Sequence, residues 1–334
     1  MVGAVVIVGS GEEGGAESRP SSSSMQFEHG GLACIELLGR TVLGRTIEEL
    51  LRGRIDSVAV IASSPFASAV IGHEQVGFFT AQDVWRKAWE KAGAFNAEAV
   101  LVVRLGAYVE FDPADLLQFH RDQGKAVTRA WTDGGSLDVW VIDLEVFAQN
   151  DGLVSCLESE DPARYFVPGY VNRLRSARDL RQLITDGLGS HCHYRPQGTE
   201  IRPGIWLGHG AEVARTARLV APVYVGRASK IADQCLITRG SNVESNAKVD
   251  YGTVIEDSTV LSNTYVGIGL DLSHSIVDGD NLLHLQHRVG LKISDPVVLR
   301  PIRDNRVRSG VDGSFLANLK VRNVAMASVP KKGQ

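Results

Sequence analysis

The fold is decided by residues 201–261, which read IRPGIWLGHGAEVARTARLVAPVYVGRASKIADQCLITRGSNVESNAKVDYGTVIEDSTVL. An apolar residue occupies every sixth position of this stretch, and a small or apolar residue follows each of them four places later. A period of six differs from the period of about 3.6 in a helix and about two in a strand, but it fits a chain wound as a triangular prism with one hexad per face. The stretch therefore predicts a parallel β-helix of hexapeptide repeats.

The leading position of each hexad is expected inside the prism, and the residue four places later near a tight interior corner. After Leu261 the period drops by one residue and resumes at Val266 and Leu272, which predicts a last, irregular coil. The leading positions are Ile201, Leu207, Val213, Leu219, Val225, Ile231, Ile237, Val243, Val249, Ile255 and Leu261, and the later corner positions are Ser229, Cys235, Ser241, Ala247, Thr253, Thr259 and Tyr265.

The first half of the chain has a different pattern. Short apolar runs at 4–8, 58–62, 99–103 and 137–142 predict buried strands, and they alternate with segments of helical periodicity. This alternation predicts an α/β domain with a doubly wound, mainly parallel sheet. We expect this domain over residues 1–196, the β-helix over 199–282 and a basic C-terminal extension over 283–334.

Composition narrows the class of protein. A chain of 334 residues with 44% hydrophobic and 22% charged residues can form two cores. It contains no apolar run long enough to span a membrane and has four scattered cysteines, so we expect a cytoplasmic protein without a membrane span. Residues 286–334 hold ten Lys or Arg against three Asp. Because apolar residues interleave these cations, we expect the extension to pack on the acidic body and not to bind nucleic acid.

Several segments occur in the order found in one enzyme family. A strand and glycine-rich loop open the chain (AVVIVGSG, residues 4–11), LGRTVL follows at 38–43, and DPADLLQFH lies at 112–120. Together with the hexapeptide stretch, these segments resemble the nucleoside-diphosphate-sugar pyrophosphorylases. The resemblance implies a nucleotidyltransferase-like domain followed by a left-handed β-helix.

The resemblance also implies which residues bind the nucleotide. The resemblance implies that Gly9, Ser10, Gly11 and Gly106 offer backbone contacts to a sugar nucleotide. The position of the family's phosphate-binding lysine falls near Leu32, and Arg40 is a candidate to substitute for that lysine. Glu12 and Glu13 put carboxylates where anionic phosphates would lie in the family. Charge repulsion would therefore replace the attraction on which nucleotidyl transfer depends.

The family's magnesium ligand is also missing. The position of its metal-binding Asp is Ala107 in this chain, and the nearest carboxylates, Glu110 and Asp112, are displaced along the sequence. Magnesium takes oxygen ligands in near-octahedral geometry, so a shift of three residues changes the direction of a ligand. The sequence therefore favours a site with no resident cofactor, with Mg²⁺ expected only if nucleotidyl transfer is retained.

These departures favour a catalytically degenerate protein that binds a sugar nucleotide as a regulatory or scaffolding subunit of polysaccharide or nucleotide-sugar metabolism. We expect a homo-oligomer formed through the β-helix, with a hetero-complex with an active paralogue as a further expectation. One alternative is an active sugar-phosphate nucleotidyltransferase that uses displaced ligands.

Another alternative is a hexapeptide-repeat acyltransferase that uses acyl-CoA. Such an enzyme needs a histidine as general base, and His209 and His274 both occupy the second place after a leading aliphatic residue. That place predicts side chains that point outward. Their spacing puts them on different faces of the prism, so at most one of them would serve a given cleft.

Overall fold

The computed structural model describes residues 2–8, 35–63, 74–95, 97–149, 157 and 161–302. These residues fall into two compact units. The N-terminal unit contains the first strand and the described part of 41–174, and the C-terminal unit contains 35–40 and 175–302. The chain thus contributes a short segment to the C-terminal unit before it builds most of the N-terminal one.

The described residues form five helices, and four of them begin at a polar capping residue. The side chains of Thr41, Asp83, Asp112 and Ser176 each accept a hydrogen bond from a backbone N–H of the first turn, which satisfies a donor that the helix leaves free. Asp112 followed by Pro113 is a sequence signal for such a helix start. The helices are α1 (Val42–Arg52), α2 (Val84–Gly93), α3 (Pro113–Gln123), α4 (Leu144–Gln149) and α5 (Ala177–Leu188).

The N-terminal unit is mixed α/β and is built on a seven-stranded, mostly parallel sheet. Its spatial order is β10-β8-β9-β6-β1-β4-β5, in which β9 alone runs against the others. The strands are β1 (Gly3–Val8), β4 (Ser57–Ala62), β5 (Val76–Thr80), β6 (Ala99–Arg104), β8 (Val127–Thr132), β9 (Gly135–Asp143) and β10 (Ala163–Phe166). Shorter strands of this unit are β7 (Tyr108–Val109) and β11 (Val171–Asn172). Strand β2 (Glu36–Leu37) and the first residue of β3 (Arg40–Thr41) belong to the segment that joins the C-terminal unit.

The central strands are apolar on both faces because helices cover them. Every residue of β1 is buried, as the continuous run of residues 4–8 predicts. Helix α2 packs Trp85 and Ala88 against Val5, Val100 and other residues of one sheet face in a single hydrophobic cluster. Trp85 is therefore part of the core of this unit.

The C-terminal unit consists of many short strands in three main sheets. The eight-stranded sheet contains β12 (Thr199–Arg202), β13 (Ile205–Leu207), β16 (Val223–Val225), β19 (Asn242–Val243), β22 (Thr259–Val260), β25 (Ser275–Asp278), β26 (Asn281–His284) and β27 (Val289–Lys292). The five-stranded sheet contains β14 (Glu212–Val213), β17 (Lys230–Ile231), β20 (Lys248–Val249), β23 (Thr264–Val266) and β28 (Leu299–Pro301). The four-stranded sheet contains β15 (Arg218–Leu219), β18 (Leu236–Thr238), β21 (Val254–Glu256) and β24 (Asp271–Ser273).

The chain visits these three sheets in rotation. Most neighbouring strands of a sheet are parallel, and Glu212 pairs with Lys230, which is three hexads later in the sequence. The leading aliphatic residues Val225, Ile237 and Val249 are fully buried in one common cluster. This arrangement is compatible with the predicted β-helix.

The sequence-based prediction of the repeat is wrong at both of its ends. Ile201 is 50% exposed on β12, which runs antiparallel to β13, so the buried repeat begins after it. At the other end Val243 pairs with Val260 and not with Leu261. The single-residue drop therefore occurs before Val260, because a shorter turn follows β21. As a result Ser258 and Thr264, not Thr259 and Tyr265, occupy the corner positions.

Buried hydroxyl groups at the corners connect successive coils. The Oγ1 of Thr253 donates to the carbonyl of Gly267 at 2.6 Å and accepts from the N–H of Leu270 at 3.1 Å. Ser229 makes the same pair of bonds with Glu244 and Ala247. The corner positions select small hydroxyl residues because they satisfy one backbone donor and one acceptor that are removed from water.

The start of the basic extension packs on the C-terminal unit. Strand β28 pairs antiparallel with β23, Leu299 is buried in the cluster of leading aliphatic residues, and the guanidinium of Arg300 lies 3.6 Å from the ring centroid of Tyr265. Residues 303–334, which hold most of the extension, lie outside the described residues.

Candidate functional site

A topological switch point lies at the carboxyl edge of the N-terminal sheet. After β1 the chain adds the parallel strands β4 and β5 on one side, and then crosses to place the parallel strand β6 on the other side. Such a point opens a crevice beyond the carboxyl ends of the strands, where ligands of doubly wound folds bind. The N–H of Leu105 donates to the carbonyl of Ile7 at 2.9 Å, which holds the end of β6 beside β1.

The sequence predicts that this crevice binds a nucleotide. Gly106 and Ala107 follow directly after Leu105 and are half-buried at this edge. Gly9, Ser10 and Gly11 continue β1 in the sequence, but they lie outside the described residues. Gly106 is thus the predicted nucleotide contact that the structure describes at the switch point.

The two displaced carboxylates have structural partners. Glu110 is 6% exposed and accepts a hydrogen bond from the hydroxyl of Tyr108 at 2.8 Å. Asp112 caps α3 by accepting from the N–H of Ala114 at 2.9 Å. Among the described residues no group of three or more His, Cys, Asp and Glu side chains is arranged to hold a metal ion.

A half-buried carboxylate, that of Glu49 on α1, interacts electrostatically with Glu110. Burial, followed by the negative charges of Glu110 and Asp112, raises the pKa of Glu49 to about 7. A hydrogen bond from the backbone of Phe111 and the charge of Arg52 oppose this shift. The negative charges of two neighbouring carboxylates thus oppose the ionisation of Glu49.

A row of arginines crosses the sheet near the switch point. In the spatial order of the strands it runs through Arg104 on β6, Asp138 on β9, Arg129 on β8 and Arg164 on β10. The Nε of Arg104 lies 3.0 Å from one carboxylate oxygen of Asp138, and a terminal nitrogen of Arg129 lies 3.5 Å from the other. Arg164 is the register partner of Arg129. Three guanidinium groups thus share one sheet face with a single intervening carboxylate, and we call these four residues the arginine row.

Each arginine of the row lies over a tryptophan ring. The guanidinium carbon is 5.9 Å from the ring of Trp85 for Arg104, 5.1 Å from Trp140 for Arg129, and 4.7 Å from Trp131 for Arg164. The indole Nε1 atoms of all three tryptophans are buried without a hydrogen-bond partner. Cation–π contact fixes the guanidinium groups in place. The indole N–H groups are left as unused donors.

The hairpin between β8 and β9 closes this edge with a two-residue turn, Asp133–Gly134. The guanidinium of Arg173 donates to the hydroxyl of Thr132 at 2.9 Å and to the carbonyls of Gly135 at 2.9 Å and Ser136 at 3.2 Å. The sequence predicts that this segment is too short for the sugar-binding insertion of the resembled family. These hydrogen bonds from Arg173 hold the short turn in place.

The predicted phosphate-binding Arg40 belongs to the C-terminal unit. Its carbonyl accepts a hydrogen bond from the hydroxyl of Tyr194 at 2.8 Å, and it begins strand β3 directly after the turn at Leu38 and Gly39. Arg40 and Gly106 are thus parts of different compact units.

The two candidate histidines of the C-terminal unit differ in their surroundings. His209 is exposed in the turn after β13, and its side chain has no hydrogen bond or ion pair with another described residue. His274 follows β24, and its Nδ1 lies 2.6 Å from a carboxylate oxygen of Asp257. The strands before them lie in different sheets. Only His274 therefore has the carboxylate partner that orients an imidazole with its Nε2 outward.

A buried arginine supports this carboxylate. A terminal nitrogen of Arg181 donates to Asp257 at 3.0 Å and to the carbonyl of Gly240 at 2.7 Å, while its Nε and other terminal nitrogen are buried without partners. Burial lowers the pKa of Arg181, and the charge of Asp257 opposes that effect. Burial also lowers the pKa of His284, assisted by the charges of His287 and His274. The imidazole of His274 thus lies in a cluster of titratable groups.

Two sets of these residues are absent from the sequence-based prediction. The arginine row interrupts apolar strands at Arg104, Arg129 and Asp138, and charged residues within such runs are the signal that could identify it. Asp257 lies 17 residues before His274, which is one shortened coil of the repeat. That spacing could predict their contact once the position of the shortened turn is known.

No protein-family model matches this chain, and no curated protein matches it in sequence. Among the described residues no helix is both long and apolar enough to cross a membrane.

Proposed function

We propose that this chain is a catalytically degenerate relative of the nucleoside-diphosphate-sugar pyrophosphorylases, which binds a sugar nucleotide at the carboxyl edge of its N-terminal sheet without turning it over. The observation that carries the proposal is the switch point between β1 and β6, with Gly106 and Ala107 at its rim and the arginine row beside it. A ligand held there would meet cations and backbone groups but no described metal ligand.

The geometry of the edge supports binding without catalysis. Ala107 has no carboxylate, Glu110 is occupied by Tyr108, and Asp112 caps a helix. Nucleotidyl transfer needs charge stabilisation at the α-phosphate, which the resembled family obtains from Mg²⁺ and a lysine. This chain would bind the ground state of the ligand and lack the groups that lower the barrier.

The C-terminal unit supports a scaffolding role in the same proposal. Its rotation through three sheets and its buried aliphatic core fit a left-handed parallel β-helix, as the resemblance implies. Regular parallel coils offer flat faces on which a second copy or an active paralogue can dock. The protein would then regulate the complex that it joins according to the concentration of the sugar nucleotide.

Isothermal titration with a panel of sugar nucleotides tests the binding site. We expect saturable binding to the unmodified protein and its loss in Ala107→Trp, because the indole would fill the rim of the crevice. Ala114→Trp, on the exposed side of α3, is the matched control and should bind normally. Equal binding by both variants, or no binding at millimolar ligand, would refute the proposal.

A second function, acyl transfer, is favoured by the contact between His274 and Asp257. In that reaction the Nε2 of His274 would take the proton of an amine or hydroxyl acceptor as the acceptor attacks the acyl-CoA carbonyl, and the CoA thiol would leave. The acyl group would pass from sulfur to the acceptor. An acyl-CoA transfer assay is expected to show a loss of turnover in His274→Ala but not in His209→Ala, and equal rates in both variants would exclude this mechanism.

A further inference from the structure

Three unused hydrogen-bond donors accompany the arginine row. The indole Nε1 atoms of Trp85, Trp131 and Trp140 are buried and have no partner, although the residues around them are otherwise well packed. A buried donor without an acceptor loses its hydrogen bond to water and gains none in return, so native structures contain few of them. Trp85 and Trp140 are 9% and 4% exposed and belong to the same hydrophobic cluster. Two such donors in one cluster point to an acceptor that binds there.

The arginines give this face its charge. Arg104, Arg129 and Arg164 lie on the same sheet face as these rings, and Asp138 contributes one negative charge between the first two. Neighbouring strands of a sheet are about 4.8 Å apart, so a row across four strands extends roughly 14 Å. A ligand with several charged oxygens can therefore contact more than one guanidinium.

The chemistry of the row selects an oxyanion. Guanidinium and indole groups are hydrogen-bond donors without acceptors, so they match phosphate oxygens and repel a metal ion or an amine. An aromatic base would need an open ring face, and here one face of each ring is already occupied by an arginine. The phosphates of a nucleotide fit the row better than its base does.

We propose that the arginine row with Trp85 and Trp140 is a metal-free diphosphate-binding site, which takes the diphosphate of a sugar nucleotide or free pyrophosphate. This inference rests on the proposed function for the sugar nucleotide but not for pyrophosphate. The fixed guanidinium groups replace the charge that Mg²⁺ supplies in the resembled family, and the indole N–H groups gain the acceptors that they lack.

Nuclear magnetic resonance of the indole N–H groups tests the site directly. The five tryptophans of the chain give five indole signals, which single Trp→Phe variants assign. On titration with inorganic pyrophosphate we expect the signals of Trp85 and Trp140 to move downfield, because their N–H groups form new hydrogen bonds. The signals of Trp89 and Trp206 serve as internal controls and should not move. Uniform or absent shifts would overturn the proposal.

Single substitutions of the arginines distinguish a loss of charge at the site from a loss of the folded structure. Arg104→Gln and Arg129→Gln are each expected to weaken pyrophosphate binding about tenfold, which corresponds to the loss of one charge-assisted hydrogen bond. Arg86→Gln removes an arginine from the same unit whose side chain is 79% exposed, and it should bind as the unmodified protein does. Unchanged affinity in both row variants, with intact circular dichroism, would contradict the site.

The ligands distinguish this inference from the proposed function. A sugar nucleotide and pyrophosphate should both move the two indole signals, and an uncharged nucleoside should move neither. If the sugar nucleotide binds without these shifts, the diphosphate site is wrong while the proposed function stands. If pyrophosphate alone binds and shifts them, the site stands and the proposed function fails.

Discussion

Glu244 accepts a hydrogen bond from the backbone N–H of Leu38 at 2.7 Å, although 206 residues separate them in the sequence. The same carboxylate accepts from the N–H of Gly39 at 3.1 Å and from the side-chain amide of Asn242 at 2.6 Å. Leu38 and Gly39 have positive φ angles of 50° and 83° and form the turn between β2 and β3. A leucine in this conformation is strained, so external hydrogen bonds are needed to hold the turn.

Replacing Glu244 should therefore destabilise the C-terminal unit. Glu244→Ala leaves buried N–H donors at Leu38 and Gly39 without an acceptor, and we expect a loss of roughly 2–4 kcal/mol in the free energy of unfolding. Chemical denaturation measures this change. Glu212→Ala, which removes an exposed partner of Lys230, is the control and should cost less than about 1 kcal/mol. Equal effects of the two variants would contradict the role of Glu244.

The ionisation of Glu244 should make stability fall as the pH rises. Burial, followed by the charge of Glu36, raises the pKa of Glu244 from 4.5 to about 8, against the opposing hydrogen bonds from Leu38, Asn242 and Gly39. The folded state then binds the proton more tightly than the unfolded state does. The contribution is fully present below about pH 4.5 and is lost as the pH rises through 8.

Denaturation at several pH values between 5 and 9 checks this expectation. Glu244→Gln cannot ionise, so its stability should depend less on pH over this interval than that of the unmodified protein. Parallel pH profiles for the two proteins would show that the carboxyl of Glu244 does not titrate in this range.

Glu49 should behave in the same way within the N-terminal unit. Its pKa is raised to about 7, so the stabilisation of its protonated form is lost as the pH rises from about 4.5 through 7. We expect Glu49→Gln to raise the melting temperature at pH 8 more than at pH 5. Glu90→Gln, on the exposed side of α2, provides the comparison. A larger gain at pH 5 would reverse the sign and refute the interpretation.

The corner hydroxyl groups should contribute to stability through their hydrogen bonds and not through their volume. Thr253→Val keeps the shape of the side chain but leaves the carbonyl of Gly267 and the N–H of Leu270 unpaired, at a cost of about 2 kcal/mol. Thr216→Val, at an exposed turn where the hydroxyl donates to Asp233, should cost less. Thermal unfolding compares them, and an equal or smaller loss for Thr253→Val would reject the corner role.

The sequence predicts the coarse architecture because periodicity is a local property. The hexapeptide period predicts short strands in rotating sheets, and the cap at Asp112 with Pro113 predicts the start of α3. The period alone puts the shortened turn after Leu261, whereas in the structure it precedes Val260. Val260 and Leu261 are both apolar, and only the pairing with Val243 distinguishes them. Ile201 matches the period but belongs to an exposed antiparallel strand.

The candidate sites were less predictable because they depend on contacts between distant segments. Nothing in the sequence near Glu244 indicates that it accepts hydrogen bonds from residues 38 and 39. The arginine row assembles from three strands whose spatial order differs from their sequence order. Such sites follow from sheet topology, which a local pattern does not contain.

Release of pyrophosphate from a nucleoside triphosphate and a hexose phosphate, measured with Mg²⁺ present, distinguishes a degenerate site from an active one. We expect that a preparation which binds a sugar nucleotide releases no pyrophosphate above the background without protein, because Ala107 supplies no metal ligand. Metal-dependent release that scales with protein concentration would contradict it.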